Sequence, residues 1–269
     1  MHPFLKWPGG KRWFIQRHAD LLPKVFRKYV EPFLGGGAVF FHLQPQEAVL
    51  GDINADLINT YRGIQRDWRQ IEGLLEHHQR MHSTEYYYLM RNVVPEDLIG
   101  QAARMLYLNR TCFNGIYRVN LKGEFNVPKG GKTAVIIEGE SFEAISELLK
   151  RAELLCGDFE PLIDQAEAGD LVFVDPPYTV RHNNNGFIKY NEKLFTWEDQ
   201  ERLAQALGRA RDRGAQIVST NANYSLLRDI YRDLGFYLIK MSRFSAISAK
   251  AESRRNFEEL IILSHPPKT

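Results

Sequence analysis

Seven short apolar runs, near residues 28–31, 47–52, 153–158, 171–175, 215–220, 236–242 and 257–263, punctuate this chain of 269 residues. Helical periodicity fills most of the intervals, for instance 141–151 and 197–213, the latter opened by Thr196 as N-cap. Strands that alternate with helices in this way build a parallel α/β sheet, because each helix carries the chain back across a sheet face. The interval from about Leu57 to Glu138 breaks the rhythm. It is helical at first, then rich in Tyr, Asn, Arg and Gly, and Lys122-Gly123 between Val119 and Phe125 predicts a small hairpin. A plain connecting loop of that length would be exceptional, so an insertion projecting from the sheet is expected. Residues 1–56 and 139–269 then form one α/β domain, and 57–138 a mostly helical insertion.

One run ends in an unusual way. Leu171-Val172-Phe173-Val174 reads as a fully buried strand and stops at Asp175-Pro176-Pro177-Tyr178, where two prolines cannot continue a ladder. Asp175 and Tyr178 are thereby placed on a stiff turn at the carboxyl end of a strand, where open α/β sheets hold their ligands. A carboxylate oxygen of Asp175 and the carbonyl of Pro176 can both accept from one exocyclic amine, while the Tyr178 ring offers a face to a planar base. An amine held by both hydrogens is drawn toward tetrahedral geometry and presents its lone pair for attack.

Two further segments point to a nucleoside ligand. Tyr29-Val30-Glu31-Pro32-Phe33 precedes Gly35-Gly36-Gly37, a strand feeding a loop that lets a ligand approach the backbone. Gly35 and Gly37 match the first half of a dinucleotide fingerprint, but Phe40 occupies the third glycine position, which argues against a pyrophosphate turn. Asp52 ends the apolar stretch Ala48-Val49-Leu50, where a carboxylate can accept from both hydroxyls of a ribose or cap the next helix. Leu154-Leu155-Cys156-Gly157-Asp158-Phe159 repeats the theme as a short buried strand closed by an acid and an aromatic, with Asp158 equally able to start a helix.

Taken together these segments resemble the Dam-type DNA adenine-N6 methyltransferases over nearly the whole chain. Phe4-Leu5-Lys6-Trp7-Pro8-Gly9-Gly10-Lys11 is close to that family's opening Phe-Leu-Lys-Trp-Ala-Gly-Gly-Lys. The glycine loop, the acidic loop Gly51-Asp52-Ile53-Asn54-Ala55-Asp56, the segment Leu108-Asn109-Arg110-Thr111-Cys112-Phe113-Asn114-Gly115-Ile116-Tyr117-Arg118 and the segment Lys122-Gly123-Glu124-Phe125-Asn126-Val127-Pro128 follow in family order. The resemblance implies a Rossmann-like fold that uses S-adenosylmethionine, with a target-recognition insertion acting on double-stranded DNA. It implies catalytic roles for Asp175, Pro176 and Tyr178. It also implies cofactor contacts from Trp7, Lys11, Gly35, Gly37, Asp52, Asp158, Phe159 and Asp175, and DNA contacts from Arg110, Phe113, Asn114, Ile116 and Arg118. The last group is also chemically apt: Arg118 suits guanine, Asn114 suits adenine, and Phe113 or Ile116 can wedge between bases. One departure stands out. Where the Dam type places an arginine after Asn-Val-Pro-Phe-Gly, this chain has Gly131 after Asn126-Val127-Pro128-Lys129-Gly130, so its target need not be GATC.

A net charge of +2 does not mark a nucleic-acid binder, so any basic surface must be local. Two stretches qualify: Arg104 to Lys132, and Lys240 to Arg255. The polar stretch from Thr179 to Phe195 is expected to close over an extruded nucleotide. Cys112 and Cys156 lack metal spacing, and His77, His78 and His82 read as a solvated helix surface without a third ligand. No apolar run is long enough for a membrane, and a reduced cytoplasmic compartment fits the cysteine usage; the oligomeric state stays open. Rival readings are a cytosine-N4 or RNA adenine methyltransferase, a nicotinamide-dependent oxidoreductase, and a DNA-binding module without activity. The oxidoreductase leaves Asp-Pro-Pro-Tyr unused. An Asp at the head of the motif, where cytosine enzymes carry Ser, favours adenine.

Overall fold

The computed structural model of the protein describes residues 1–120, 122–178, 195–244 and 256–267. Among the described residues the strands are β1 (Tyr29–Glu31), β2 (Ala48–Asp52), β3 (Ala152–Cys156), β4 (Leu171–Val174), β5 (Gln216–Ala222), β6 (Tyr237–Phe244) and β7 (Asn256–Leu263). The helices are α1 (Arg12–His18), α2 (Ala38–Leu43), α3 (Ala55–Met81), α4 (Thr84–Asn92) and α5 (Leu98–Thr111). They continue as α6 (Phe142–Leu149), α7 (Phe159–Asp164), α8 (Trp197–Asp212) and α9 (Ser225–Asp233). Every strand falls within two residues of an apolar run read from the sequence.

The seven strands form a mixed sheet in the order β3-β2-β1-β4-β5-β7-β6. β1 with β4, β2 with β3 and β4 with β5 are parallel, while β7 runs antiparallel to both β5 and β6. The antiparallel end adds to the parallel sheet that the strand–helix alternation suggests. β6 and β7 follow each other in the chain, and an antiparallel pair does not require a crossover connection. The order turns back at β1 and β4, and a reversal of that kind opens a crevice beyond the carboxyl ends of the two strands.

The chain divides into two compact units, Met1–His18 with Leu34–Gly157, and Ala19–Phe33 with Asp158–Thr269. In the second unit all four residues of β4 are buried, each side chain contributing about 1.5–3 kcal/mol. The strand stops at Val174, just ahead of Pro176 and Pro177, which have no N–H to offer a neighbour. Helix α8 begins where the sequence places it: the Thr196 side chain accepts from the Asp199 N–H, and the Asp199 side chain accepts from the Thr196 N–H. The stretch 179–194, expected to close over a nucleotide, and most of the basic run ending at Arg255 lie outside the described residues.

In the first unit, Asn54 caps α3 by accepting from the Leu57 N–H. The helix is interrupted at Asp67, whose carboxylate accepts from the Gln70 N–H and so starts it afresh. The hairpin expected around Gly123 is present, with Val119 bridged to Phe125 and the Gly123 N–H donating to the Asn120 carbonyl at 3.0 Å.

The histidines correct the sequence reading. His78 is 5% exposed, not solvated. Its Nδ1 lies 2.7 Å from the Tyr86 hydroxyl, and its ring stacks on Tyr107 at 4.9 Å. His82 Nδ1 sits 2.9 Å from the Tyr107 hydroxyl. The i, i+4 spacing is used to build an aromatic core between α3, α4 and α5, and no cluster suited to a metal occurs among the described residues. Burial, with a smaller contribution from His77, pushes His78 down to about 4. The unfolded chain therefore takes up this proton near pH 6.5, while the folded chain resists until about pH 4. Stability is expected to fall across that window by on the order of 3 kcal/mol as the pH drops, with His82 adding in the same direction. Melting curves at pH 7.5 and 5 should show the fall, and His78→Leu should flatten it; an unchanged slope would contradict the burial argument.

Candidate active site

The turn after β4 is held from several directions within the second unit. One residue beyond the register pair Val174↔Ser219, the Thr220 hydroxyl donates to Asp175 Oδ1 at 2.8 Å. The Tyr178 hydroxyl donates to Glu259 Oε2 at 3.1 Å, and Glu259 on β7 is itself buried. Burial first, then the negative charges of Asp175 and Glu259, keeps the Tyr178 phenol well above its ordinary value. It acts as a neutral donor that pins the far end of the ring. Pro176 is buried and Asp175 half-buried. Gln200 on α8 donates through Nε2 to the Pro177 carbonyl at 3.3 Å, and Asn221 Nδ2 donates to Gln200 Oε1 at 2.9 Å.

Sequence reasoning named Asp175, Pro176 and Tyr178 but missed Thr220, Gln200, Asn221 and Glu259. A usable signal was present: Ser219-Thr220-Asn221 places three polar residues where a buried strand ends, and Glu259 interrupts an apolar one. All four residues are buried.

A second constellation lies in the first unit. Gly35 and Gly37 have φ of +48° and +65°, a region closed to most side chains. A Cβ on Gly35 would meet Trp7 Cδ1 at 2.8 Å, so the loop approaches the indole as closely as a bare backbone allows. Asp52 at the end of β2 accepts from the Gly35 N–H through Oδ2 and from the Asn54 N–H through Oδ1, both at 3.0 Å. Burial raises the Asp52 pKa, and hydrogen bonds from the backbone of Asn54, Gly35 and Ile53 oppose the rise. Its two oxygens have about four lone-pair sites, so acceptors remain for two hydroxyls. Ile53, the next residue, is 77% exposed and sets an apolar face beside the acid, a feature not foreseen. Lys11 is buried with its Nζ donating to the Gly9 carbonyl at 3.2 Å.

Trp7 is stacked by Tyr117, with ring centroids 5.2 Å apart and planes at 25°, and the Tyr117 hydroxyl donates to Asp56 Oδ2 at 2.8 Å. Asn109, buried, grips the backbone of Lys6 in both directions at 2.9 Å and donates to the Gly115 carbonyl. The opening segment is thus stitched to the segment that follows α5.

Asp158 caps α7 through the Glu160 N–H and pairs with Arg202 at 2.5 Å. Phe159 is buried and stacks on Phe33 at 5.4 Å, with Phe195 edge-on to Phe33 and Arg202 over the Phe159 ring at 4.7 Å. The Asp158 cap anticipated in the sequence is therefore formed.

Of the residues read as DNA contacts, Phe113, Asn114, Ile116 and Arg118 are all exposed on one short loop. Asn114 adopts φ +56°, which turns the chain sharply there. Arg118 Nε donates to Asn126 Oδ1 at 2.8 Å. Arg110 departs from expectation. It is 4% exposed, donates to the Val135 carbonyl at 2.7 Å and pairs with Glu140 at 2.6 Å. A guanidinium so enclosed braces the chain between 135 and 140 and does not face a ligand. Cys112 is likewise internal: burial pushes its thiol up to about 11, which leaves no reactive thiolate at neutral pH.

Comparison with known proteins fits this arrangement. The model of the D12 class N6 adenine-specific DNA methyltransferases matches residues 7–247. The chain is 37% identical to the type II methyltransferase M1.LlaDCHI of Lactococcus lactis subsp. cremoris, over 98% of this chain and 96% of that protein. It is 35% identical to the type II methyltransferase M.MjaIII of Methanocaldococcus jannaschii, over 98% and 99%. It is 32% identical to the DNA adenine methylase of Escherichia coli K12, over 98% and 95%. A chain that carries a buried strand ending in Asp-Pro-Pro-Tyr, a left-handed glycine loop against an acid, and these matches along its length belongs to the D12 class of N6 adenine-specific DNA methyltransferases.

Proposed function

We propose that this DNA adenine methyltransferase binds S-adenosylmethionine through Trp7, Lys11, Gly35, Gly37 and Asp52, and receives an extruded adenine at Asp175, Pro176 and Tyr178. The observation that carries the reading is the anchored turn after β4, where the Asp175 carboxylate is held by Thr220 and the Tyr178 ring by Glu259. The residues of the first constellation suit a nucleoside. Asp52 has acceptors for two ribose hydroxyls, Ile53 an apolar face for a base, and the glycine loop a side-chain-free approach. Asp158 and Phe159 are further candidates for contact with the cofactor. When bound, S-adenosylmethionine supplies an electrophilic methyl group on a sulfonium centre.

The protein's own part is alignment and electrostatics. Asp175 and the Pro176 carbonyl accept the two amine hydrogens, which turns the nitrogen lone pair out of the ring plane. The carboxylate favours the positive charge that builds on that nitrogen, and Tyr178 holds the base by its ring. Since a paired adenine cannot reach such a turn inside a duplex, extrusion at a cost of a few kcal/mol is part of the reading. Residues 57–138 serve as the target-recognition insertion, and 1–56 with 139–269 as the catalytic part.

Incubation with labelled S-adenosylmethionine and a plasmid of varied sequence, followed by mapping of modified bases, tests the reading. Label in N6-methyladenine at defined sites is expected; label only in cytosine, or only in RNA, would overturn it. Within the insertion, Phe113, Asn114, Ile116 and Arg118 form the recognition set. Arg118→Ala is expected to weaken discrimination at one base pair by about 5- to 150-fold, the worth of one bidentate contact. S-adenosylhomocysteine affinity should stay unchanged. Competition between cognate and single-substitution duplexes measures this, and an unaltered preference would remove Arg118 from the set.

A further inference from the structure

We propose that Thr220, Gln200 and Asn221 are positioning residues that hold the Asp175–Tyr178 turn in its working shape. Thr220 anchors the carboxylate, and Gln200, itself oriented by Asn221, anchors the Pro177 carbonyl. The inference rests on the reading of Asp175 as the group that receives the amine.

The need for such a frame follows from the turn's own chemistry. Pro176 and Pro177 have no N–H, so the two central residues of the turn offer carbonyls but no backbone donors to their surroundings. At those two residues the carbonyls are the handles by which neighbours can hold the turn. The carboxylate of an Asp rotates in a broad, two-fold well and stays ill-defined unless a partner fixes it. β5 supplies, from consecutive residues, the first anchor and the residue that orients the second. In the parallel pair β4–β5, Asp175 and Thr220 stand level, one step past Val174↔Ser219, and the Thr220 hydroxyl reaches Asp175 Oδ1 at 2.8 Å. Asn221 points to the opposite face, as alternate strand residues do. There its Oδ1 accepts from the Ala222 N–H at 2.8 Å and its Nδ2 donates to Gln200 Oε1 at 2.9 Å. Gln200 then donates to the Pro177 carbonyl at 3.3 Å.

Each amide has one donor and one acceptor engaged in this relay, which fixes the orientation of both. Thr220, Asn221 and Gln200 have no exposed surface at all. Fully buried polar groups that served packing alone could be replaced by apolar groups of equal shape at little loss. Here both chains of hydrogen bonds end on the turn whose two central residues have no N–H.

The test separates rate from affinity. Thr220→Val is expected to lower the single-turnover methyl-transfer rate by about 10- to 100-fold, the scale of a misplacement near 1 Å. Affinities for a cognate duplex and for S-adenosylhomocysteine should change less than about threefold, within what a distant contact alters. Thr220→Ser, which keeps the hydroxyl, should restore the rate to near that of the unaltered enzyme. Gln200→Glu keeps the acceptor for Asn221 but removes the donor to Pro177, and should slow the reaction about tenfold or more; it carries the test should valine at 220 prevent folding. A Thr220→Val rate close to that of the unaltered enzyme, beside an inactive Asp175→Ala, overturns the frame and spares the reading of the turn. So does a loss confined to affinity, or one that serine fails to restore. Activity retained by Asp175→Ala overturns both.

Discussion

Alanine in place of Asp175 is expected to lower single-turnover methyl transfer by at least about 100-fold, the cost of removing a preorganised charged contact from developing charge. The carboxylate is half-buried and fixed by Thr220 at 2.8 Å, so it has little reorganisation left to undergo when the amine arrives. Two losses combine in the variant. One hydrogen-bond acceptor for the amine disappears, and with it the negative charge that steadies the nitrogen as it becomes cationic. Affinity for S-adenosylhomocysteine should weaken only in part, because the ribose and base contacts assigned to Asp52 and Ile53 stay in place. Rapid-quench measurement with a duplex substrate reads the rate directly. Turnover above a tenth of the original would remove Asp175 from its role.

The second large effect concerns Asp52. Asp52→Ala removes acceptors for two ribose hydroxyls, and hydrogen bonds to a charged group contribute about 1.5–3 kcal/mol each. It also releases the Gly35 and Asn54 N–H groups that the carboxylate now satisfies. The glycine loop, held at positive φ against Trp7, then loses one of its ties. S-adenosylhomocysteine affinity should fall by about 100-fold or more, since each 1.4 kcal/mol is a factor of ten. Asp52→Asn, with a single oxygen, can satisfy only one of the two backbone donors through that atom and should fall between. Calorimetric titration checks the order, and an Asp52→Ala protein that binds normally would relocate the ribose site.

Strand positions were legible because each strand is a local apolar run, and the α8 start because Thr196 is an N-cap residue directly before a helical pattern. The head of the active turn was legible for the same reason: acid, prolines and aromatic are contiguous. What local pattern could not show is polar pairing at long range. Thr220 meets Asp175 from 45 residues away and Glu259 meets Tyr178 from 81. Asn109 reaches Lys6 across 103. The misplaced residues teach the same lesson from the other side. His78 and Arg110 are polar by type, and type alone suggests solvent. Tyr86 and Tyr107 around the one, and Glu140 with the Val135 carbonyl around the other, made burial affordable. The antiparallel end of the sheet escaped notice because strand direction leaves no mark on apolar spacing.

β7 has an implication for when the enzyme becomes competent. During synthesis the acidic turn leaves the ribosome well before the strand that carries Glu259, and the Tyr178–Glu259 hydrogen bond can form only once that strand pairs with β5. On this account the turn takes its final shape only after the last strand in the chain has joined the sheet.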